Sequence, residues 1–247
     1  MDHEQFLDVT RDESARLAAT YRGADPAAPV RSCPGWTLAK LVKHTGTAQA
    51  WARTIAERRS TDAVDTRGID LGLPADEAAY GDWLEAGARR LVDVLRTIDP
   101  DVPMWSWTGD DRAGFWSRRM AHETAVHRWD AQDAVRDAPD PIDPLLAVDG
   151  IDERFENLPA TSARAGVTPT GSGETIHLHA TDCDGEWLVR LTPDGAEVSH
   201  GHGKGDVAAR GSASDLLLVV YGRLPVETVD VFGDAALLAR FQELMKL

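Results

Sequence analysis

Residues 112–136 read RAGFWSRRMAHETAVHRWDAQDAVR. Trp116, Met120, Glu123, His127 and Ala134 fall along one side of a 3.6-residue repeat, so the spacing predicts a helix that carries two metal-ligating residue types on an inward stripe. The following DAPDPIDP, residues 137–144, forbids continuation, because proline removes a backbone donor and clashes with the preceding turn. Glu123 and His127 are four residues apart, about 6 Å along the axis of one helix face, and both can point at one ion.

Working back from that helix, three more helical segments are separated by punctuation. Leu7, Thr10, Ser14, Leu17 and Tyr21 recur at helical spacing up to Arg22. After the turn signal Cys33-Pro34-Gly35, Thr37 is placed to cap a second helix whose stripe is Leu41, His44, Ala48, Trp51 and Ile55. Leu84, Ala88, Leu91, Leu95 and Ile98 form the third, stopped at Asp99-Pro100. Four helices with mostly loop-sized connections predict a bundle, in which His44 would approach Glu123 and His127 from a facing helix.

Working forward, a short helix around 145–157 leads into NLPATSARAGVTPTGSG, a linker by composition. TIHLHA and EWLVRL read as strands joined at Asp184-Gly185, with AEVSH as a third. SASDLLLVVYG reads as a helix, VETVDVFG as a return to strand, and DAALLARFQELMKL as an amphipathic helix capped by Asp234. The expected organisation is two domains, an all-α domain over 1–159 and a small α+β domain over 172–247.

The chain has 247 residues, of which 26 are basic and 41 acidic, for a net charge of −15. That charge repels phosphate backbones and anionic bilayers, so neither nucleic acid nor membrane is expected as a partner. The N-terminal stretch lacks the basic start and apolar run of a signal peptide, and no segment has 18 uninterrupted apolar residues. With two cysteines far apart, Cys33 and Cys183, a cytoplasmic location is expected.

Two imidazoles and one carboxylate suit Zn²⁺ or a similar divalent ion and leave a position for water or substrate. The same residues also fit a hydrogen-bonded Glu–His contact and a satisfied core histidine. His122-Glu123 is not a zincin signature, since the second histidine comes one residue late, and His122 reads as solvated or packing. Asp130, two turns after Glu123, reads as an acceptor for an imidazole N–H, as a further ligand or as a surface salt bridge. Trp105, Trp107 and Trp116 read as an apolar pocket wall or as core, and Cys33 as a metal-adjacent thiol or, preferentially, as buried packing. His177 and His179 share a strand face, as a metal pair could, and His200-Gly201-His202 repeats the spacing; solvated strand-face histidines are the expectation for both.

The run Cys33-Pro34-Gly35-Trp36-Thr37, then Leu41-Val42 and His44, followed by His122-Glu123 and His127-Arg128-Trp129-Asp130-Ala131, resembles the mycothiol-dependent maleylpyruvate isomerase family. GSASDLLLVVYGR and VFGDAALLARF are similar to that family's C-terminal domain. The resemblance implies a DinB-like metal-binding four-helix bundle followed by an α+β domain resembling sterol carrier protein type 2. It implies His44, Glu123 and His127 as metal ligands, with zinc expected and nickel or another divalent ion possible, and mycothiol or a similar thiol as cosubstrate. It also implies Arg223 as a catalytic arginine from the C-terminal domain, able to clamp a substrate carboxylate, where position alone suggests a helix-end charge.

The implied activity is isomerisation of the maleylpyruvate to fumarylpyruvate type, or S-transfer to a small electrophile. A non-catalytic ligand-binding protein with a structural metal, and a metal-assisted hydrolase needing no thiol, are the competing classes.

Overall fold

The computed structural model describes residues 1–245. The chain divides after Asp140 into two compact units. The first holds four long helices: α1 (His3–Arg22), α2 (Leu38–Arg58), α3 (Tyr80–Arg96) and α4 (Ala113–Val135). Their ends follow local chemistry. Asp2 and Gln5 form a reciprocal capping box at the start of α1, and Thr37 Oγ1 accepts the Lys40 N–H at 3.3 Å at the start of α2. α1 and α2 each pack on both α3 and α4.

Two apolar layers fill the space between these helices. One contains Leu7, Ile55, Leu91, Met104 and Trp116; the other contains Leu17, Tyr21, Leu38, Leu41 and Leu84. Trp105 and Trp107, before α4, pack against the first layer, and Trp116, in the first turn of α4, is fully buried in it with its indole N–H donated to the Trp105 carbonyl at 2.8 Å. α4 is buried around most of its circumference, so it encloses polar groups as well. Arg128 has no solvent exposure; it donates to Glu13 at 2.5 Å, to Gln132 at 3.1 Å and to the Asp140 carbonyl.

The second unit begins at Pro141 and contains α5 (Pro144–Glu156) and α6 (Leu158–Ala165) ahead of its sheet. The expected domain edge at 159 therefore falls within this unit. α5 packs on a later helix, and its Asp152 accepts the Trp187 indole N–H from the sheet at 2.6 Å. The segment expected as linker is helical in its first half: Pro159 stands at the helix start, where a missing N–H costs nothing, and Gly166 ends the helix in the left-handed region.

The sheet runs β3-β2-β1-β4-β5, with β1 (Thr175–Ala180), β2 (Glu186–Thr192), β3 (Gly195–His200), β4 (Val207–Gly211) and β5 (Asp230–Gly233). β1 pairs parallel to β4, and the other neighbours are antiparallel. Ile176, Leu178, Trp187, Val189, Leu191 and Val207 point to the buried face. α7 (Ala213–Val220) and α8 (Ala235–Met245) pack on the sheet, and Gln242 ties them by donating to the Val219 and Leu224 carbonyls. Strand β4 has no sequence expectation behind it, because VAARG carries neither alternation nor a β-branched run. Of VETVDVFG, the last four residues are strand and the first turn is a 3₁₀ segment.

Candidate metal centre

The site is assembled from the N-terminal end of α2 and the middle of α4. A tight turn precedes α2: the Trp36 N–H donates to the Cys33 carbonyl at 3.0 Å across Pro34 and Gly35, and Gly35 has φ +80°. Proline at the second position and a left-handed glycine at the third are what a type II turn requires. The turn delivers the Trp36 ring against His44, 4.9 Å between centroids.

Glu123 and His127 project from α4 one turn apart, as their spacing predicts. Glu123 Oε1 lies 3.0 Å from His44 Nε2 and 3.2 Å from His127 Nε2. The three candidate ligand atoms are within 4.8 Å of one another. His127 and Glu123 are 9% and 21% exposed, but His44 is 42% exposed, so it stands at the solvent rim and not on a buried stripe. It flanks the buried Leu41, Val42 and Thr45 of α2 without joining them.

The other nitrogen of His127 is engaged. Nδ1 is 2.8 Å from Asp130 Oδ2, and Asp130 is fully buried, also accepting the Ser32 hydroxyl at 2.6 Å. The surface salt-bridge reading of Asp130 is therefore replaced by the imidazole-acceptor reading. Cys33 is half-buried against the core, its thiol 3.8 Å from the same carboxylate. His122 faces away and is buried edge-on to Phe6, which excludes the solvated reading.

Arg119, one turn before Glu123, donates to Glu123 Oε2 at 2.6 Å. The sequence reading leaves out Arg119, and Trp36 enters it only within the run Cys33 to Thr37, with no role of its own. The i,i+4 spacing from Glu123 was a signal for the arginine, whereas the tryptophan's role depends on the turn.

Burial alone would raise the Glu123 pKa; the charge and hydrogen bond of His127, with His44 and Arg119, outweigh it and hold the carboxyl well below its usual range. Burial likewise disfavours charge on His127, but Glu123 and Asp130 reverse that and raise it to about 9. Two carboxylates flanking one imidazole create a place where positive charge is favoured. The donor set, two imidazoles and a carboxylate with an orienting carboxylate behind, fits a divalent transition metal ion.

The family model described as "Mycothiol maleylpyruvate isomerase N-terminal domain" matches residues 7–132, and that described as "MDMPI C-terminal domain" matches 146–240. The chain belongs to the mycothiol maleylpyruvate isomerase family. Two solved structures are similar along nearly their full lengths, each alignment covering 94% of this chain and 93% of the other. One is a histidine-to-alanine variant of the mycothiol-dependent maleylpyruvate isomerase, with TM-score 0.58 and 15% identity. The other is the mycothiol-dependent maleylpyruvate isomerase itself, with TM-score 0.54 and 16% identity. At these identities the likeness shows a shared fold. No curated protein matches the chain. Among the described residues, no helix is long and apolar enough to cross a membrane.

In the second unit, Arg223 directly follows Gly222 at the end of α7. The Gly222 and Arg223 N–H groups donate to the Val219 and Leu218 carbonyls, closing α7 with a left-handed glycine at φ +65°. The Arg223 guanidinium donates to the Tyr221 carbonyl at 3.1 Å and lies 6.0 Å from the centre of the Tyr221 ring.

Proposed function

We propose that this family member is a divalent-metal-dependent enzyme that uses a low-molecular-weight thiol, mycothiol on the family's evidence, to isomerise a small electrophile or to add to it in an S-transfer, in the cytoplasm. The observation that carries the reading is the convergence of His44 Nε2, Glu123 Oε1 and His127 Nε2, with Asp130 on the far nitrogen of His127. His44, Glu123 and His127 would hold the ion. Zn²⁺ bound there would lower the pKa of a thiol from about 8.5 to below neutral and so supply a nucleophile at cellular pH.

The chain's own groups prepare that site. Asp130 fixes the orientation of the His127 ring, His127 with His44 and Arg119 keeps Glu123 ionised, and the Trp36 ring packs beside His44. Exposure of His44 leaves an approach from solvent for thiol and electrophile. In an isomerisation of the maleylpyruvate type, thiol addition turns the activated double bond into a single bond, rotation follows, and loss of the thiol restores the double bond in trans. In S-transfer the adduct is released.

Arg223 is carried in this proposal as the guanidinium that takes a substrate carboxylate, on the family resemblance. The four helices are read as the DinB-like bundle and the second unit as the sterol-carrier-like domain on the same ground.

The test is elemental analysis of protein purified without a metal-affinity tag, for wild type and for His44→Ala, Glu123→Gln and His127→Ala, each checked by circular dichroism. Near-stoichiometric metal lost in all three folded variants, with thiol-dependent turnover lost in parallel, is the expected result. A folded wild type that takes up neither zinc nor nickel would overturn the metalloenzyme reading. Turnover without thiol would assign a hydrolase, and metal without any turnover a binding protein.

A further inference from the structure

We propose a second divalent-metal site, in the sheet unit, formed by His177 and His179 of β1, Glu186 of β2 and His202 of the connection from β3 to β4. Antiparallel pairing sets Glu186 directly opposite His179, and the two-residue period of β1 puts His177 on the same face. That face lies opposite the one occupied by Ile176, Leu178 and Trp187, so it would ordinarily be solvated.

The strand order makes the difference. β3 is at one edge and β4 lies beyond β2 and β1, so residues 201–206 must cross both strands. The crossover begins where the Gly201 N–H donates to the Glu186 carbonyl at 3.1 Å, passes Leu188 at Gly203, and reaches β1 at Gly205. A Cβ on Gly205 would sit 2.6 Å from the Val207 carbonyl oxygen and 3.0 Å from the backbone nitrogen of His177, so the close passage over β1 requires glycine. The crossover buries His177 to 5% exposure and sets His202 over Glu186.

Three imidazoles consequently meet one carboxylate. His179 Nδ1 is 2.7 Å from Glu186 Oε1, while His202 Nδ1 and His177 Nε2 are 3.1 and 3.3 Å from Oε2. All four candidate ligand atoms lie within 4.8 Å. A tetrahedral ion with bonds of 2.0–2.1 Å separates its ligand atoms by about 3.3 Å, so small side-chain adjustments suffice to admit one. Three neutral nitrogens with one carboxylate select Zn²⁺, Co²⁺, Ni²⁺ or Cu²⁺ over Mg²⁺ or Ca²⁺. A four-ligand protein shell is that of a structural site, and it would pin the glycine-rich crossover to the sheet. His202, 82% exposed at its side chain, leaves an entry path.

The site is tested in the full-length chain carrying His44→Ala and Glu123→Gln, so that the outcome does not depend on the first centre. After chelator treatment this protein is titrated with Zn²⁺ alone and, separately, with Co²⁺, whose visible spectrum reports tetrahedral coordination. One equivalent of Zn²⁺ and a tetrahedral Co²⁺ spectrum are expected. Adding His202→Ala, which touches an exposed side chain and leaves the fold intact, should weaken binding by more than the roughly 10–100-fold typical of losing an outer partner. His179→Ala should do the same. Folded protein that binds no stoichiometric Zn²⁺, or binding indifferent to His202→Ala and His179→Ala, would overturn the proposal.

Discussion

Asp130 Oδ2 lies 2.8 Å from Nδ1 of His127, and this one contact orients the ring so that Nε2 faces Glu123 and His44. Asp130→Asn keeps the volume but removes the charge that supports the imidazole. Metal affinity should fall about 10–100-fold with little change in secondary structure, as measured by competition with a chromophoric chelator. Unchanged affinity would show that the contact is structural alone.

The two candidate histidine ligands should separate in metal-free protein. His44→Ala removes a rim side chain and should alter stability by no more than about 0.5 kcal/mol. His127→Ala leaves Asp130 and Glu123 short of a buried partner and should cost about 1–3 kcal/mol. Urea unfolding of both variants after chelator treatment checks the order.

Gly46→Ala reverses the usual helix preference. In an open helix alanine gains up to about 1 kcal/mol over glycine, but here the new Cβ would lie 2.2 and 2.4 Å from carbons of the Trp83 ring. That ring is held by its indole N–H, donated to the Leu71 carbonyl at 2.7 Å, so it has little room to yield. A net loss of about 1–3 kcal/mol is expected, read as a lower urea midpoint.

Arg128→Met should be among the most damaging single changes in the first unit. It removes a fully buried guanidinium while leaving Glu13, itself 9% exposed, without its charged partner on α4. Breaking a buried pair from one side costs about 3–5 kcal/mol, and Arg16, which still holds the other Glu13 oxygen at 2.6 Å, places this loss toward the lower end. A Glu13→Gln/Arg128→Met double variant should recover part of that loss in a denaturation cycle, and additive losses would contradict the pairing.

Tyr21 gives the first unit an alkaline limit. Burial first, then the neighbouring Glu77, raises its pKa from 10 to about 12 in the folded state, and its hydroxyl donates to the Glu77 carbonyl at 2.8 Å. A raised folded pKa contributes stability that is complete below the unfolded value and is lost as pH rises through the folded one. Wild type should therefore lose stability between about pH 10 and 12, and Tyr21→Phe should flatten that part of the profile in thermal melts. An unchanged slope would remove Tyr21 as the cause.

Much of the first unit is readable from sequence because helix boundaries are local events. Thr37 caps α2 through an N–H three residues on, and α3 ends at Arg96, two residues short of Asp99-Pro100, so that Ile98 lies just past the helix end. The Glu123–His127 pair is equally local, since four residues of one helix bring them together wherever the helix is placed. Composition misled where a propensity is weak: LPATSARA joins a linker-like sequence, yet a helix-start proline and a left-handed Gly166 allow one short helix.

By itself, then, the sequence determined the four long helices, β1 to β3 and the closing helices, and which residues of one helix share a face, whereas α6 and β4 were not legible in it. Tertiary structure alone decided what those faces meet. His44 reaches Glu123 because α2 packs on α4, Asp130 turns inward because α4 is enclosed around most of its circumference, and His202 reaches Glu186 because the strand order sends residues 201–206 across the sheet. The physical reason is range: capping, turns and periodicity act over three or four residues, whereas a site drawn from separate elements depends on the packing of the whole unit.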